Sequence, residues 1–321
     1  MYLGVDCGGT STRAVIVDAS GNVVARGYSG VSNVKSIGVD AFINVVNTAV
    51  ENARKQLLES NGQLTRVWVG AAGVDAESEA RSLQLPLANI FQVPAEHVTV
   101  SNDALLIGAP ITTSAGVAVI AGTGSVVLCL RRDPYLRICS RVGGLGWLLG
   151  DEGSAFRIGR AALRAAIDYA DEVAWSSASA CEAYSTLLEH ILSAWNLSSA
   201  DALLGTLYAP PSEKFTEKHR IAQLTPVVFA LAEHGNAVCI DVVHDQADRL
   251  ARQIAIASRR NTSAESQSLC LGGGILSIEL FRARVLAQVA QLGVSFHQVV
   301  LVSDAAAEAA IALARANMIT N

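Results

Sequence analysis

At 321 residues the chain exceeds the usual size of a single hydrophobic core, so two domains are expected. A composition of 51% hydrophobic and 17% charged residues excludes global disorder, and a net charge of −5 argues against nucleic acid or an anionic membrane as the main partner. No apolar run approaches the roughly 18 to 20 residues that span a bilayer, and no basic region precedes the first apolar residues, so a cytoplasmic protein is expected.

The chain opens on YLGVDCGGTSTRAVIVDAS, residues 2–20. Leu3 and Val5, then residues 14–17, have the β-branched, apolar character of buried strands, so the centre of the segment is a hairpin turn. Gly8 and Gly9 let the backbone approach a ligand, and successive N–H groups beside the hydroxyls of Thr10, Ser11 and Thr12 suit an oxyanion such as phosphate. Asp6 would repel that anion unless a divalent cation lay between them, which implies Mg²⁺. The other reading is an ordinary tight turn with an exposed acid. A third strand is expected at 23–28, and Phe42, Ile43, Val46, Val50, Ala53 and Leu57 fall at helical spacing. Strand signals return at 67–70 and 98–100, separated by a helix around 77–85. This βββαβαβ order predicts an α/β domain with a mixed sheet, ending near Pro110.

The pattern then restarts: VAVIAGTGSVVLCL, residues 117–130, is again apolar strand, Gly/Thr/Ser turn and apolar strand. Residues 161–256 read as largely helical, with a Pro/Ser interruption at 209–212 and an arginine-rich, solvated helix face at 249–260. A strand at 268–271 enters Gly272, Gly273 and Gly274, and a strand at 299–302 precedes an alanine-rich helix over 305–316. Two hairpins that each offer N–H groups to phosphates predict a cleft between two related domains, taken as 1–112 plus 304–321 and 113–303. The six cysteines, at 7, 129, 139, 181, 239 and 270, form no C-x-x-C pair and read as reduced core residues. The six histidines have no metal-ligand spacing.

Five segments carry candidate chemistry: DCGGTST at 6–12, SND at 101–103, GTGS at 122–125, GGLGWLLGDEGSA at 143–155 and LGGG at 271–274. Neither a P-loop nor a Rossmann fingerprint is present. In this order and at these intervals the segments resemble the actin-like ATPase and sugar-kinase superfamily, and within it the BadF/BadG/BcrA/BcrD ATPase family that includes N-acetylglucosamine kinase. The resemblance implies two ribonuclease-H-like domains with ATP in the interdomain cleft, and phosphorylation of N-acetylglucosamine or glucosamine at the 6-hydroxyl. It implies nucleotide contacts from Gly8, Gly9, Thr10 and Ser11, from Gly122, Thr123, Gly124 and Ser125, from Gly272, Gly273 and Gly274, and from Ala222. Asp103 matches the acid that accepts the proton of the sugar hydroxyl, although Asp before Ala104 also suits a helix N-cap. Asn33 matches a sugar contact or is a plain turn asparagine; Gly144, Leu145, Gly146 and Asp151 match the sugar segment, and Glu152 either joins them or caps the next helix. Leu145 stands where many relatives have Trp, so the acyl group of the sugar is read differently here. Cys7 is a small filler or a redox switch.

Three other readings belong beside this one. A kinase of N-acetylmuramic acid or of a neutral hexose would use the same fold. An ATPase activator of a 2-hydroxyacyl-CoA dehydratase would need cysteines beside glycine-rich turns, and none of Cys129, Cys139, Cys181 or Cys239 has that setting. A sugar-responsive repressor would need a helix-turn-helix ahead of the first strand. A homodimer is the expected assembly.

Overall fold

The computed structural model describes residues 1–57, 63–133, 135–175, 181–208, 216–261 and 266–320. The chain divides into two compact units, one of Met1–Ala118, Leu130–Ile138 and Val302–Asn321, the other of Val119–Cys129 and Cys139–Leu301. In the first, β1 (Tyr2–Cys7) and β2 (Thr12–Val17) pair antiparallel with Asp6 opposite Arg13, and β3 (Val23–Ser29) adds antiparallel to β2. The helices α1 (Val34–Ile37) and α2 (Val39–Arg54) lead to β4 (Arg66–Ala71), and α3 (Glu77–Phe91) leads to β5 (Val98–Ser101). Both β4 and β5 join in parallel, so the sheet is mixed and ordered β3-β2-β1-β4-β5.

The motif restarts in β6 (Ala115–Ala121) and β7 (Ser125–Arg132), followed by β8 (Leu136–Val142). Then come α4 (Gly146–Leu149), α5 (Ala155–Trp175), α6 (Glu182–Ala194), α7 (Leu203–Leu207), α8 (Glu217–Ala222), α9 (Thr225–Glu233) and α10 (Ala237–Arg260). The expected interruption at 209–212 lies outside the described residues. β9 (Ser268–Gly272), α11 (Gly274–Ser277), α12 (Glu279–Gln291), β10 (Gln298–Val302) and α13 (Ala305–Thr320) follow. The second sheet is ordered β10-β9-β6-β7-β8. From its other edge, β8-β7-β6-β9-β10, it repeats the first sheet strand for strand. The repeated hairpin is therefore one part of a repeated five-stranded sheet.

Strand alternation splits β1 between two cores. Leu3, Val5 and Cys7 bury against Phe42 and Val46 of α2 and Leu83 and Phe91 of α3, while Tyr2 buries on the opposite face with Ala306, Ala310 and Ala314 of α13. A Cβ on Gly4 would lie 1.9 Å from Ala306 O, so α13 meets β1 backbone to backbone.

The structure corrects three details. α3 runs through Pro86 to Phe91 instead of stopping near Leu85. Burying Leu87 and Phe91 beyond the proline contributes about 1.5–3 kcal/mol each, against about 3 kcal/mol for an interior proline. β8 was not anticipated, because its sequence LRICSRV interrupts its apolar residues with Arg137, Ser140 and Arg141 and is mostly exposed, as at a sheet edge. Cys139 and Cys181 are exposed, whereas Cys7, Cys129, Cys239 and Cys270 are buried as expected. Among the described residues, no single helix is long and apolar enough to cross a membrane.

Candidate active site

In the first unit, Asp6 continues the β1 face that carries Tyr2 and Gly4 and so reaches the strand end near the start of α13. Asp304 caps that helix, its Oδ1 accepting from Ala307 N at 3.1 Å, and pairs with Arg26. Burial, then the charge of Asp103, pushes the Asp6 carboxyl up to about 6; the cross-strand Arg13 opposes this and Asp304 adds to it. The turn after Asp6 is closed by Gly8 N donating to Ser11 O at 3.1 Å. Among the described residues, the N–H groups of Gly9, Thr10 and Ser11 and the hydroxyls of Thr10 and Ser11 have no hydrogen-bond partner. Thr12 differs from the expectation. Its buried Oγ1 donates to Gly30 O at 2.8 Å and lies 2.6 Å from Ser32 Oγ, so this hydroxyl ties down the chain that leads to Asn33. Cys7 is fully buried and its thiol is pushed up by burial, which fits a filler and makes the thiolate needed for redox chemistry scarce.

Asp103 is brought to Asp6 by a missing side chain. The parallel neighbour of Asp6 on β4 is Gly70, where a Cβ would lie 2.5 Å from Leu106 Cγ and 3.0 Å from Asp103 Cα. Asp103 begins the 3-10 turn Asp103–Gly108, just past the end of β5, and the capping residue is Asn102, whose Oδ1 accepts from Ala104 N at 3.1 Å. Asp103 Oδ1 shares that N–H at 3.0 Å. Burial raises the Asp103 carboxyl above its ordinary range, the Ala104 N–H lowers it, and the charge of Asp75 raises it again. A desolvated carboxylate of this kind is a competent proton acceptor.

Asn33 caps α1 through Oδ1, which accepts from Lys35 N at 3.0 Å and Ser36 N at 3.3 Å, while its Nδ2 has no partner among the described residues. The loop after β4 joins Asn33 to the Asp103 turn. Val34 N donates to Ala72 O at 3.0 Å, Lys35 Nζ meets Asp75 Oδ2 at 2.6 Å, and Asn102 Nδ2 donates to Val74 O at 2.9 Å. Sequence reasoning missed Asp75 and Asp304, since each reads locally as an acid at a helix start.

In the second unit, the β6–β7 turn closes through Gly122 N to Gly124 O at 2.9 Å, and the start of α5 docks on it by Ala155 N to Gly122 O at 2.8 Å. Among the described residues, Thr123 N and Gly124 N have no acceptor. Ser125 is buried and donates to Glu152 O at 2.7 Å, so its hydroxyl holds the loop. Asp151 is 4% exposed, sits at φ +65°, and its Oδ2 meets Lys218 Nζ of α8 at 3.2 Å. A Cβ on Gly124 would lie 2.7 Å from that same oxygen. Lys218 was also missed, because nothing in the spacing of a short polar helix links it to residue 151. Glu152 pairs with Arg157 at 3.2 Å. Gly144 and Gly146 take φ values of +63° and +78°, and Leu145 between them is 58% exposed. Gly273, at φ +95°, would place a Cβ 2.3 Å from Ala121 O, so the Gly272 to Gly274 segment passes backbone to backbone beside the turn. Ala222 ends α8, one helical turn beyond Lys218.

Among the described residues, no three His, Cys, Asp or Glu side chains are disposed to hold a metal ion by themselves. Asp6 nonetheless fits a hard cation that takes one carboxylate and completes its shell with phosphate oxygens and water: it is a half-buried acid beside N–H donors that are open among the described residues.

Two mixed α/β units with the same strand order, each bearing a glycine-rich hairpin with open N–H groups, define the fold of the actin-like ATPase type of sugar kinase. The chain belongs to the BadF/BadG/BcrA/BcrD ATPase family, which it matches over residues 3–301. It is similar to the N-acetyl-D-glucosamine kinase of Dictyostelium discoideum, 27% identical over 259 residues that cover 78% of this chain and 76% of the relative. The N-acetylmuramic acid/N-acetylglucosamine kinase of Clostridium acetobutylicum is 26% identical over 277 residues, covering 86% and 85%. A crystal structure from Porphyromonas gingivalis, put forward as an N-acetylglucosamine kinase, superposes with a TM-score of 0.70 at 20% identity, covering 99% of this chain and 100% of that one.

Proposed function

We propose that the chain is an ATP-dependent amino-sugar kinase that phosphorylates the 6-hydroxyl of N-acetylglucosamine or glucosamine. One observation carries the reading: in the first unit a partly desolvated carboxylate, Asp103, and an N–H-lined turn headed by a second half-buried carboxylate, Asp6, converge at the end of one sheet. In this reading Asn33 orients the sugar through its Nδ2 and Asp103 accepts the proton of the 6-hydroxyl. The N–H groups of Gly9, Thr10 and Ser11 take phosphate oxygens. Magnesium, held through Asp6, would neutralise charge on the phosphates. Such positioning and charge neutralisation supply most of the catalysis of phosphoryl transfer, and a base adds typically ~10² to 10⁴. Asp151, Gly144, Leu145 and Gly146 contribute sugar contacts, and Thr123, Gly124, Gly272, Gly273, Gly274 and Ala222 nucleotide contacts. We also propose a cytoplasmic homodimer, the dimer being open to test by light scattering on the eluting protein.

The test is a coupled assay of ADP release with glucosamine, N-acetylglucosamine, N-acetylmuramic acid, glucose and mannose. Turnover greatest on an amino sugar without the lactyl group supports the reading. Turnover confined to a neutral hexose, or no sugar-dependent ADP release, overturns it.

A further inference from the structure

We propose that Lys218 is a phosphate-binding residue, its ammonium shared between Asp151 and the nucleotide phosphates at the turn of residues 122–124. The inference rests on the kinase reading above and assigns that site its own cation.

Lys218 Nζ lies 3.2 Å from Asp151 Oδ2 and 3.2 Å from the position a Cβ on Gly124 would occupy. The absent side chain is what lets the ion pair rest on the turn. The carboxylate is nearly sealed, with side-chain exposure of 6%, while the lysine keeps 24%. An ammonium has three donors, and Asp151 engages one of them. Immediately beside it, Thr123 N and Gly124 N are donors without acceptors, and the Thr123 hydroxyl is exposed and without a partner among the described residues. Open amides, a hydroxyl and a partly desolvated cation form a receptor for a phosphate oxygen.

A purely structural ion pair explains less. Asp151 is held in the left-handed region at φ +65°, a conformation that costs a non-glycine residue energy and persists where its surroundings enforce it. The neighbouring residues Gly150 and Gly153 show that glycine is available locally, yet an acid stands at the strained position. Placed there, it keeps Lys218 on the turn and offsets its charge until a polyanion arrives.

The sharing makes a prediction of opposite sign for the two partners. Binding of magnesium AMPPNP is measured by calorimetry without sugar, so that contacts to sugar do not enter. Lys218→Met weakens binding about tenfold or more, the scale of a lost charged hydrogen bond. Lys218→Gln, which keeps a donor for Asp151 and protects the fold, weakens it similarly, and Lys218→Arg restores most of it. Asp151→Asn tightens binding about threefold, because the ammonium loses its competitor. Equal affinity in Lys218→Gln and the parent, or weaker binding in Asp151→Asn, overturns the proposal while leaving the kinase reading intact. A parent that neither binds the nucleotide nor phosphorylates a sugar overturns both.

Discussion

Replacing Asp6 by Asn should stabilise the nucleotide-free protein at neutral pH and at the same time weaken its use of magnesium. The carboxyl is raised from 3.8 to about 6, chiefly by burial and then by the charge of Asp103. The native state therefore binds more protons than the unfolded chain between those values, and stability falls as pH rises through that window. A shift of about two units corresponds to about 3 kcal/mol, which solvent access to the partly exposed side chain reduces to about 1–3 kcal/mol. Asp6→Asn removes this titration. Urea melts of both proteins in chelator at pH 4 and pH 7.5 should show the variant gaining about 1–3 kcal/mol relative to the parent between the two pH values. The kinase assay should show a higher magnesium requirement in the variant. A stability difference independent of pH would refute the electrostatic argument, and identical magnesium dependence would refute the cation role.

Asp103→Asn should lower kcat by at least ~10² while sugar still binds by calorimetry, since the amide keeps the shape but not the basicity; a near-normal kcat would leave Asp103 a structural partner of Ala104 N. Gly73→Ala should raise the KM for sugar about tenfold and leave that for ATP alone. The residue sits at φ +89°, and its Cβ would lie 2.8 Å from the Asn33 Oδ1 that caps α1; an unchanged sugar KM would show that Asn33 is not positioned from this loop. Gly4→Ala should cost more than about 3 kcal/mol, visible as a loss of soluble or cooperatively melting protein, because its Cβ would lie 1.9 Å from Ala306 O and neither backbone can yield. A variant melting within a degree or two of the parent would show that α13 can shift on β1.

What could be read from the sequence was local and periodic. The hairpin at residues 8–11, the strand signals and the restart at 117–130 are patterns carried by neighbouring residues, and the fold places strands at each of them. β8 escaped because an edge strand has no obligation to be apolar. Thr12 and Ser125 were read with their hydroxyl-rich turns, yet each lies just past its turn, where the hydroxyl holds the chain in place. The missed charges share a different cause. Asp304 comes near Asp6 because α13 lies against Gly4, Asp75 meets the Asp103 turn at Asn102 and acts on Asp103 by its charge, and Lys218 meets Asp151 across 67 positions of sequence. Each contact depends on which helix packs where, and in two of the three a glycine sets how closely. A glycine that lets two backbones meet looks, in sequence, the same as one that bends a turn. At Gly4, Gly70 and Gly124 the information lay in what the missing Cβ made room for, and a single chain does not state that until it is folded.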